Sequence, residues 1–303
     1  MLRNLLAVLL ALVLPTFSFA EDGGKPDLET PQGRSRFLDG LTTRFGAVPL
    51  SPAGVTLNLG DRYYFLGPAD SEKVLVEAWG NPKDQGDGVL GMVFPAGTTP
   101  LDPAWGAVVT YADTGYVPDS DARKTNYDDV LKRLRDGEDQ DNEARKKAGL
   151  EQVHLVGWAQ APLYDQARHS LIWARQLHFS DQKDDTLNYD VRVLGRRGVL
   201  SLNMVSRMTQ LGQIHAAAND LQRTAVFDQG SAYADFKPDT DKRAAYGVGG
   251  LILAGAGLAV AQKAGLLAVA LLFLKKGFVV IAAAAAGGWA WIRRRLGNRK
   301  TAA

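Results

Sequence analysis

The chain has 303 residues, 46% of them hydrophobic, no cysteine, and a formal charge of +2. That is enough apolar material for one or two packed domains, and the lack of cysteine excludes a disulfide framework, thiolate–zinc sites and thiol catalysis. The small net charge conceals an asymmetry: all 33 acids but only 26 of the 35 basic residues lie between positions 21 and 245, leaving that part at −7. Nucleic-acid binding rests on neutralising phosphates, so an acidic body excludes it.

Residues 1–20, MLRNLLAVLLALVLPTFSFA, combine Arg3, an apolar run from Leu5 to Leu14 and a small-residue exit before Glu21. This is the layout of a cleavable secretory signal, because the run is shorter than the roughly 20 residues a spanning helix needs. Residues 21–53 have few apolar positions and read as a flexible arm with at most a short helix around Ser35 to Phe45. From Gly54 the apolar period becomes two: VTLNL (55–59), a Gly60-Asp61 turn and RYYFL (62–66) predict a hairpin. Pro68 at a first helical turn, apolar Val74, Leu75, Ala78 and Trp79, and a Gly80-Asn81-Pro82 stop predict a helix of about 11 residues.

Strands follow at 89–94 and 105–112. Between Asp128 and Lys147, 13 of 20 residues are charged. The stretch predicts a long solvated helix over 127–149 with a thin stripe of Val130, Leu131 and Leu134 and a weak point at Gly137. Four strands at 151–159, 168–179, 186–194 and 198–205 are joined by short links and predict an antiparallel meander. A helix from about Thr209 to Arg223 and a strand at 224–227 close the domain. The order implies an α+β fold in which helices cover one face of an antiparallel sheet. The exported domain is placed at 54–236 and a juxtamembrane linker at 237–246.

From Tyr246 to Ile292 there is no acid, and Lys263, Lys275 and Lys276 are the only charges. Residues 247–292 therefore read as the transmembrane region and 293–303 as a basic tail. At 1.5 Å per residue the region spans about 69 Å, against a hydrocarbon core of about 30 Å. Two arrangements fit. A hairpin places Lys275 and Lys276 in a cytoplasmic turn. A single pass leaves residues 247–262 along the outer surface or packed as a separate helix, with Arg293, Arg294 and Arg295 on the cytoplasmic side. Tyr246, Trp289 and Trp291 mark the membrane boundaries together with these basic residues.

The blocks VLGMVFP (89–95), VVTYADTGYVPDSDA (108–122), LVGWAQAPLYDQARHSLIWA (155–174), NYDVRVLGRRGVLSLNMV (188–205) and YADFKPDTDKRAAYG (233–247) resemble the bacterial family of unknown function DUF2167, described as predicted membrane-anchored proteins. The resemblance implies an exported domain with a carboxy-terminal anchor and brings no activity with it. The strand and helix order is also loosely similar to the Mog1/PsbP-like α+β fold, an analogy of architecture alone.

Chemistry is concentrated in a few places. Asp113, Asp119 and Asp121, with Tyr116, surround a Gly-Pro loop whose clustered oxygens suit a cation or an acid/base pair. The spacing lacks the calcium-loop order, and Asp and Gly are ordinary turn formers. His154, His169 and His178 fall on or beside successive strands, where two can meet across a sheet, while His215 lies on the last helix. No paired histidine motif occurs, and no metal or other cofactor is expected. Ser201 sits mid-strand with no Gly-x-Ser-x-Gly elbow, and phosphate-binding glycine loops are absent. Trp158, Tyr164, Trp173 and Tyr189 alternate along the meander, as a ligand cavity or as plain core. Arg192, Arg196 and Arg197 predict an exposed basic spot at one sheet end.

The sequence therefore leans away from an enzyme, since each catalytic constellation sought is missing. The expectation is a cell-envelope protein in the bacterial inner membrane, its main domain in the periplasm, with a non-enzymatic binding or accessory role. Its partners would be the membrane and another envelope or membrane protein. Two alternatives stand beside it: an envelope hydrolase using the Asp113/Asp119/Asp121 loop, and a structural subunit of an inner-membrane complex joined through the Gly-rich helix.

Overall fold

A computed structural model of the chain describes residues 27–81, 86, 88–147 and 149–255. The signal at 1–20, Lys275, Lys276, Trp289, Trp291, Arg293, Arg294, Arg295 and most of the apolar region lie outside the described residues. Among the described residues no helix is long and apolar enough to cross a membrane.

The fold is α+β. Its centre is an antiparallel sheet of eight strands, in the order β1 (Thr43–Arg44), β4 (Tyr63–Leu66), β5 (Val89–Pro95), β6 (Gly106–Ala112), β10 (Val199–Arg207), β9 (Thr186–Leu194), β8 (Ser170–Phe179) and β7 (Val153–Asp165). A second sheet of three strands runs β11 (Ala225–Phe227), β3 (Val55–Asn58), β2 (Ala47–Leu50). The expected meander β7–β10 forms as read, since its short links force neighbours in sequence to pair.

Two expectations about the amino-terminal part fail. VTLNL and RYYFL do not form a hairpin: β3 pairs with β2 and β11, while β4 pairs with β1 and β5 in the large sheet. All four residues of β4 are buried, so both of its faces are covered, and β1 and β5 occupy its two edges. The chain crosses between sheets at Gly60, whose carbonyl accepts from the Gly46 N–H at 2.9 Å. The stretch read as a flexible arm carries α1 (Pro31–Asp39), β1 and β2. Phe37, Val48 and Leu50 from it are buried in the core.

Side chains alternate across the large sheet, and this separates the clusters. On one face, Phe65, Val93, Val109, Ala174, Tyr189, Val191 and Leu202 pack under the small sheet and α5 (Leu211–Thr224), which contributes Ile214, Ala218 and Leu221. On the other face, one corner carries Tyr64, Leu66, Met92 and Phe94 under α1, α2 (Pro68–Lys73) and the π-helical turn Val74–Ala78. The opposite corner carries Leu171, Trp173, Leu194 and Val199 under α3 (Tyr127–Asp136), Tyr233 and α6 (Val248–Gly255). Helices thus cover both faces rather than one. The predicted 11-residue helix is α2 plus the π turn, closed by Trp79 N–H donating to the Val74 carbonyl at 2.9 Å.

The charged helix breaks at Gly137 into α3 and α4 (Glu138–Lys147), and its polar side chains serve the edge strand β7. The Asn142 amide donates to the Val153 carbonyl at 2.9 Å and accepts its N–H at 2.8 Å. Glu138 accepts the Leu155 N–H at 3.0 Å, while Arg135 donates to the Leu155 and Val156 carbonyls. Three side chains thereby satisfy a stretch of open sheet edge.

Candidate functional site

The loop after β6 carries the three aspartates, and each does something different. Asp113 is exposed. Asp119 accepts from the Tyr164 hydroxyl at 2.8 Å, with His169 Nδ1 at 3.6 Å. Asp121 accepts the Val248 N–H at 2.9 Å and the Gly249 N–H at 3.2 Å, one on each carboxylate oxygen. It thus caps α6 from across the chain, where free N–H groups and the helix dipole favour an anion. Gly247 permits the approach, because a Cβ there would lie 2.5 Å from Asp121 Oδ1.

The same loop is stitched to the stretch read as a linker. Tyr116 N–H donates to the Lys242 carbonyl at 2.9 Å, and Ala244 N–H returns to the Tyr116 carbonyl at 2.8 Å. Gly115, at φ +91°, lets the two chains close: a Cβ would sit 2.7 Å from the Lys242 carbonyl oxygen. Arg196 forks onto Asp241 at 2.6 and 2.8 Å. Residues 237–246 are therefore part of the domain surface. Tyr246, expected at a membrane boundary, packs half-buried against the α3/α6 corner.

Around Asp119 stands a column of rings. His169 stacks on Tyr233 with centroids 4.1 Å apart, Tyr233 on Tyr116 at 4.4 Å, and Tyr116 on Phe236 at 3.9 Å. The Arg243 guanidinium lies 4.8 Å from the Phe236 ring centre. The Tyr233 hydroxyl donates to the Val117 carbonyl at 3.0 Å, and the Tyr164 hydroxyl lies 3.3 Å from His169 Nδ1. Burial, then bonding to Tyr116 and the charge of Asp119, push the Tyr233 hydroxyl far up; burial and Asp119 do the same for Tyr164. Both phenols stay protonated and act as donors, not bases. His169, at φ +48°, is the only non-glycine residue with positive φ among those described, a strain found at working sites and held here by Leu194 N–H on its carbonyl.

The aromatic candidates divide between the two faces. Trp158, Tyr164 and Trp173 share the α3/α6 corner with Tyr116. Trp158 Nε1–H donates to the Tyr127 carbonyl at 3.2 Å. Tyr189 points to the opposite face, where its hydroxyl, pushed up to about 12 by burial, donates to Gln160 at 2.6 Å. Trp173 and Tyr189 therefore cannot line one cavity. The expected basic spot is also dismantled: Arg192 is 3% exposed and bonds Asp190 at 2.7 Å, Arg196 is committed to Asp241, and Arg197 alone is exposed.

His169, Tyr233, Phe236 and Arg243 are the members of this site that sequence reasoning missed as a group. Tyr233 and Phe236 fall at the end of the span read as the exported domain and Arg243 in the span 237–246 read as a linker, and none of the three was singled out for chemistry. Among the described residues no group of three or more His, Asp or Glu side chains is set to hold a metal ion.

A comparison with curated proteins returns no match. A weak structural likeness is to the solution structure of cyanobacterial PsbP (CyanoP) from Synechocystis sp. PCC 6803, with a TM-score of 0.35 and 9% identity, covering 62% of this chain and 92% of that one. In sequence, residues 42–286 match the family described as "Protein of unknown function (DUF2167)", and the chain belongs to that family.

Proposed function

We propose that this is a cell-envelope protein whose α+β domain faces the periplasm as a non-enzymatic binding or accessory module, anchored in the bacterial inner membrane by its apolar carboxy-terminal region. The amino-terminal signal pattern and the acid-free stretch 247–292 support the location. The observation that carries the role is the use made of the aspartate loop. Asp121 is spent on holding α6, the first turns of that apolar stretch, and Asp119 is spent on Tyr164. Two of the three carboxylates of the hydrolase alternative are thus joints of the scaffold, and the half-buried His169, Tyr116 and Phe236, stacked about buried Tyr233, are the surface the module offers.

Val248, Leu251 and Ile252 of α6 are buried in the domain. Their burial favours the single-pass arrangement, in which the start of the apolar region packs as a separate helix. The test is protease added to spheroplasts, followed by alkaline extraction of the membranes. The reading requires that the domain be digested from outside while an undigested sample stays with the membranes. A domain protected in intact spheroplasts, or one released at alkaline pH, would sink it. A carboxy-terminal tag protected from the protease fits the single pass, and a cleaved tag the hairpin.

A further inference from the structure

At the end of the β7–β8 hairpin remote from α6, His154 and His178 face each other directly across the strands. Val153 and Leu155 turn their N–H and C=O groups outward, to Asn142, Glu138 and Arg135. His154 therefore turns its own inward, and the two histidines form a hydrogen-bonded pair with Cα atoms about 5.5 Å apart and side chains on one face. Both side chains are open to solvent, 53% and 41% exposed.

Each imidazole is held the same way. His154 Nδ1 lies 2.6 Å from Glu138 Oε1, and His178 Nδ1 lies 2.8 Å from Asp185 Oδ1. A carboxylate can only accept, so in each neutral ring Nδ1 carries the proton and Nε2 keeps its lone pair. Each carboxylate is fixed by a second donor, the Leu155 N–H on Glu138 at 3.0 Å and the Gln176 amide on Asp185 at 2.5 Å. Neither imidazole ring makes a further hydrogen bond among the described residues. A carboxylate holding the far nitrogen of an imidazole is what orients histidine ligands in metal sites and raises their basicity.

We propose that His154 and His178 form a two-histidine site for a divalent transition-metal ion of the zinc or copper class, bound through the two Nε2 atoms, with Glu138 and Asp185 as positioning residues. Imidazole suits these ions, whereas calcium and magnesium demand oxygen ligands. The chain has no cysteine to compete for them. No third side chain completes the set, so water fills the remaining positions and the ion is exchangeable rather than structural. The pair stands nine strand residues from His169, about 30 Å at 3.3 Å per residue, so the ion occupies the end of the hairpin opposite the ring column.

The test is zinc titration by calorimetry of the full-length chain in detergent, carrying no polyhistidine tag. One zinc per chain is expected. His154→Gln and His178→Gln should each weaken binding by at least about tenfold, and Glu138→Gln and Asp185→Asn by about tenfold, while His215→Gln leaves it unchanged. Circular dichroism and melting of each variant separate lost ligation from lost folding. Native affinity in the folded His154→Gln/His178→Gln double variant, or no saturable uptake by the native chain at millimolar zinc, overturns the proposal.

Discussion

Asp121→Ala removes the carboxylate that caps α6, and the structure sets the size of the effect. Losing a helix cap costs about 0.5–2 kcal/mol. Here an ionised acceptor with two N–H partners at 2.9 and 3.2 Å puts the loss near the upper end, at about 2 kcal/mol. Against it stand Val248, Leu251 and Ile252, each no more than 2% exposed and each contributing about 1.5–3 kcal/mol by burial. The apolar contribution is the larger, so α6 should stay docked in the variant. At about 2–4 °C per kcal/mol for a domain of this size, the melting temperature should fall by about 4–8 °C. The Gly249 to Leu251 amides should exchange faster without reaching the unprotected rate. Asparagine keeps one carbonyl oxygen for a single N–H but turns its amide nitrogen, a donor, toward the other and carries no charge, so Asp121→Asn should recover only part of the loss. Scanning fluorimetry of the full-length chain and hydrogen exchange read both quantities. An unchanged melting temperature would refute the capping role. Fully unprotected α6 amides would refute the dominance of apolar packing.

Asp190→Ala is the severe case. Asp190 is fully buried, bonds Arg192 at 2.7 Å and Asn203 at 2.9 Å, and has Arg175 Nη2 at 3.6 Å. Its removal strands buried positive charge and should cost about 3–5 kcal/mol in urea unfolding, and a loss below about 1 kcal/mol would contradict the account. Asp241 governs acid sensitivity at the other end of the site. Arg196 and the Lys237 N–H lower its carboxyl from 3.8 to about 2. A carboxylate lowered on folding adds stability above its ordinary value, and that stability is lost as pH falls from about 4 to about 2. In Asp241→Asn, melting should depend less on pH across that window, and an unaltered profile would show that the Arg196 fork contributes nothing to it.

Legibility followed how locally each element is determined. The meander was readable because alternating apolar residues and links of a few residues leave one pairing open. The stop at Gly80-Asn81-Pro82 was readable from turn residues, and the stretch read as one helix over 127–149 divides at Gly137, the weak point glycine marked. The sheet exchange at Gly60 was not, since VTLNL and RYYFL carry the same period whether they pair with each other or with distant strands. β1 and β2 were missed because two and four residues are too short for a periodic signal. Asp119 and Tyr116 were singled out from the sequence, yet their neighbours Tyr233, Phe236 and Arg243 lie more than a hundred positions away in a polar stretch with no periodicity. Trp173 and Tyr189 looked equivalent in sequence. Only the parity of their strands, which is a matter of register, sends them to opposite faces.

Asn142 gives the β7 edge a consequence beyond this one domain. Its carboxamide presents a carbonyl and an N–H to Val153 in the way the peptide group of an added strand would, so the sheet ends against a side chain and not against water. A second molecule sliding alongside finds that hydrogen-bonding face already occupied. Under the proposed anchoring, copies would diffuse in two dimensions and meet more often than in solution. A sheet terminated in this manner can be crowded without seeding a fibre.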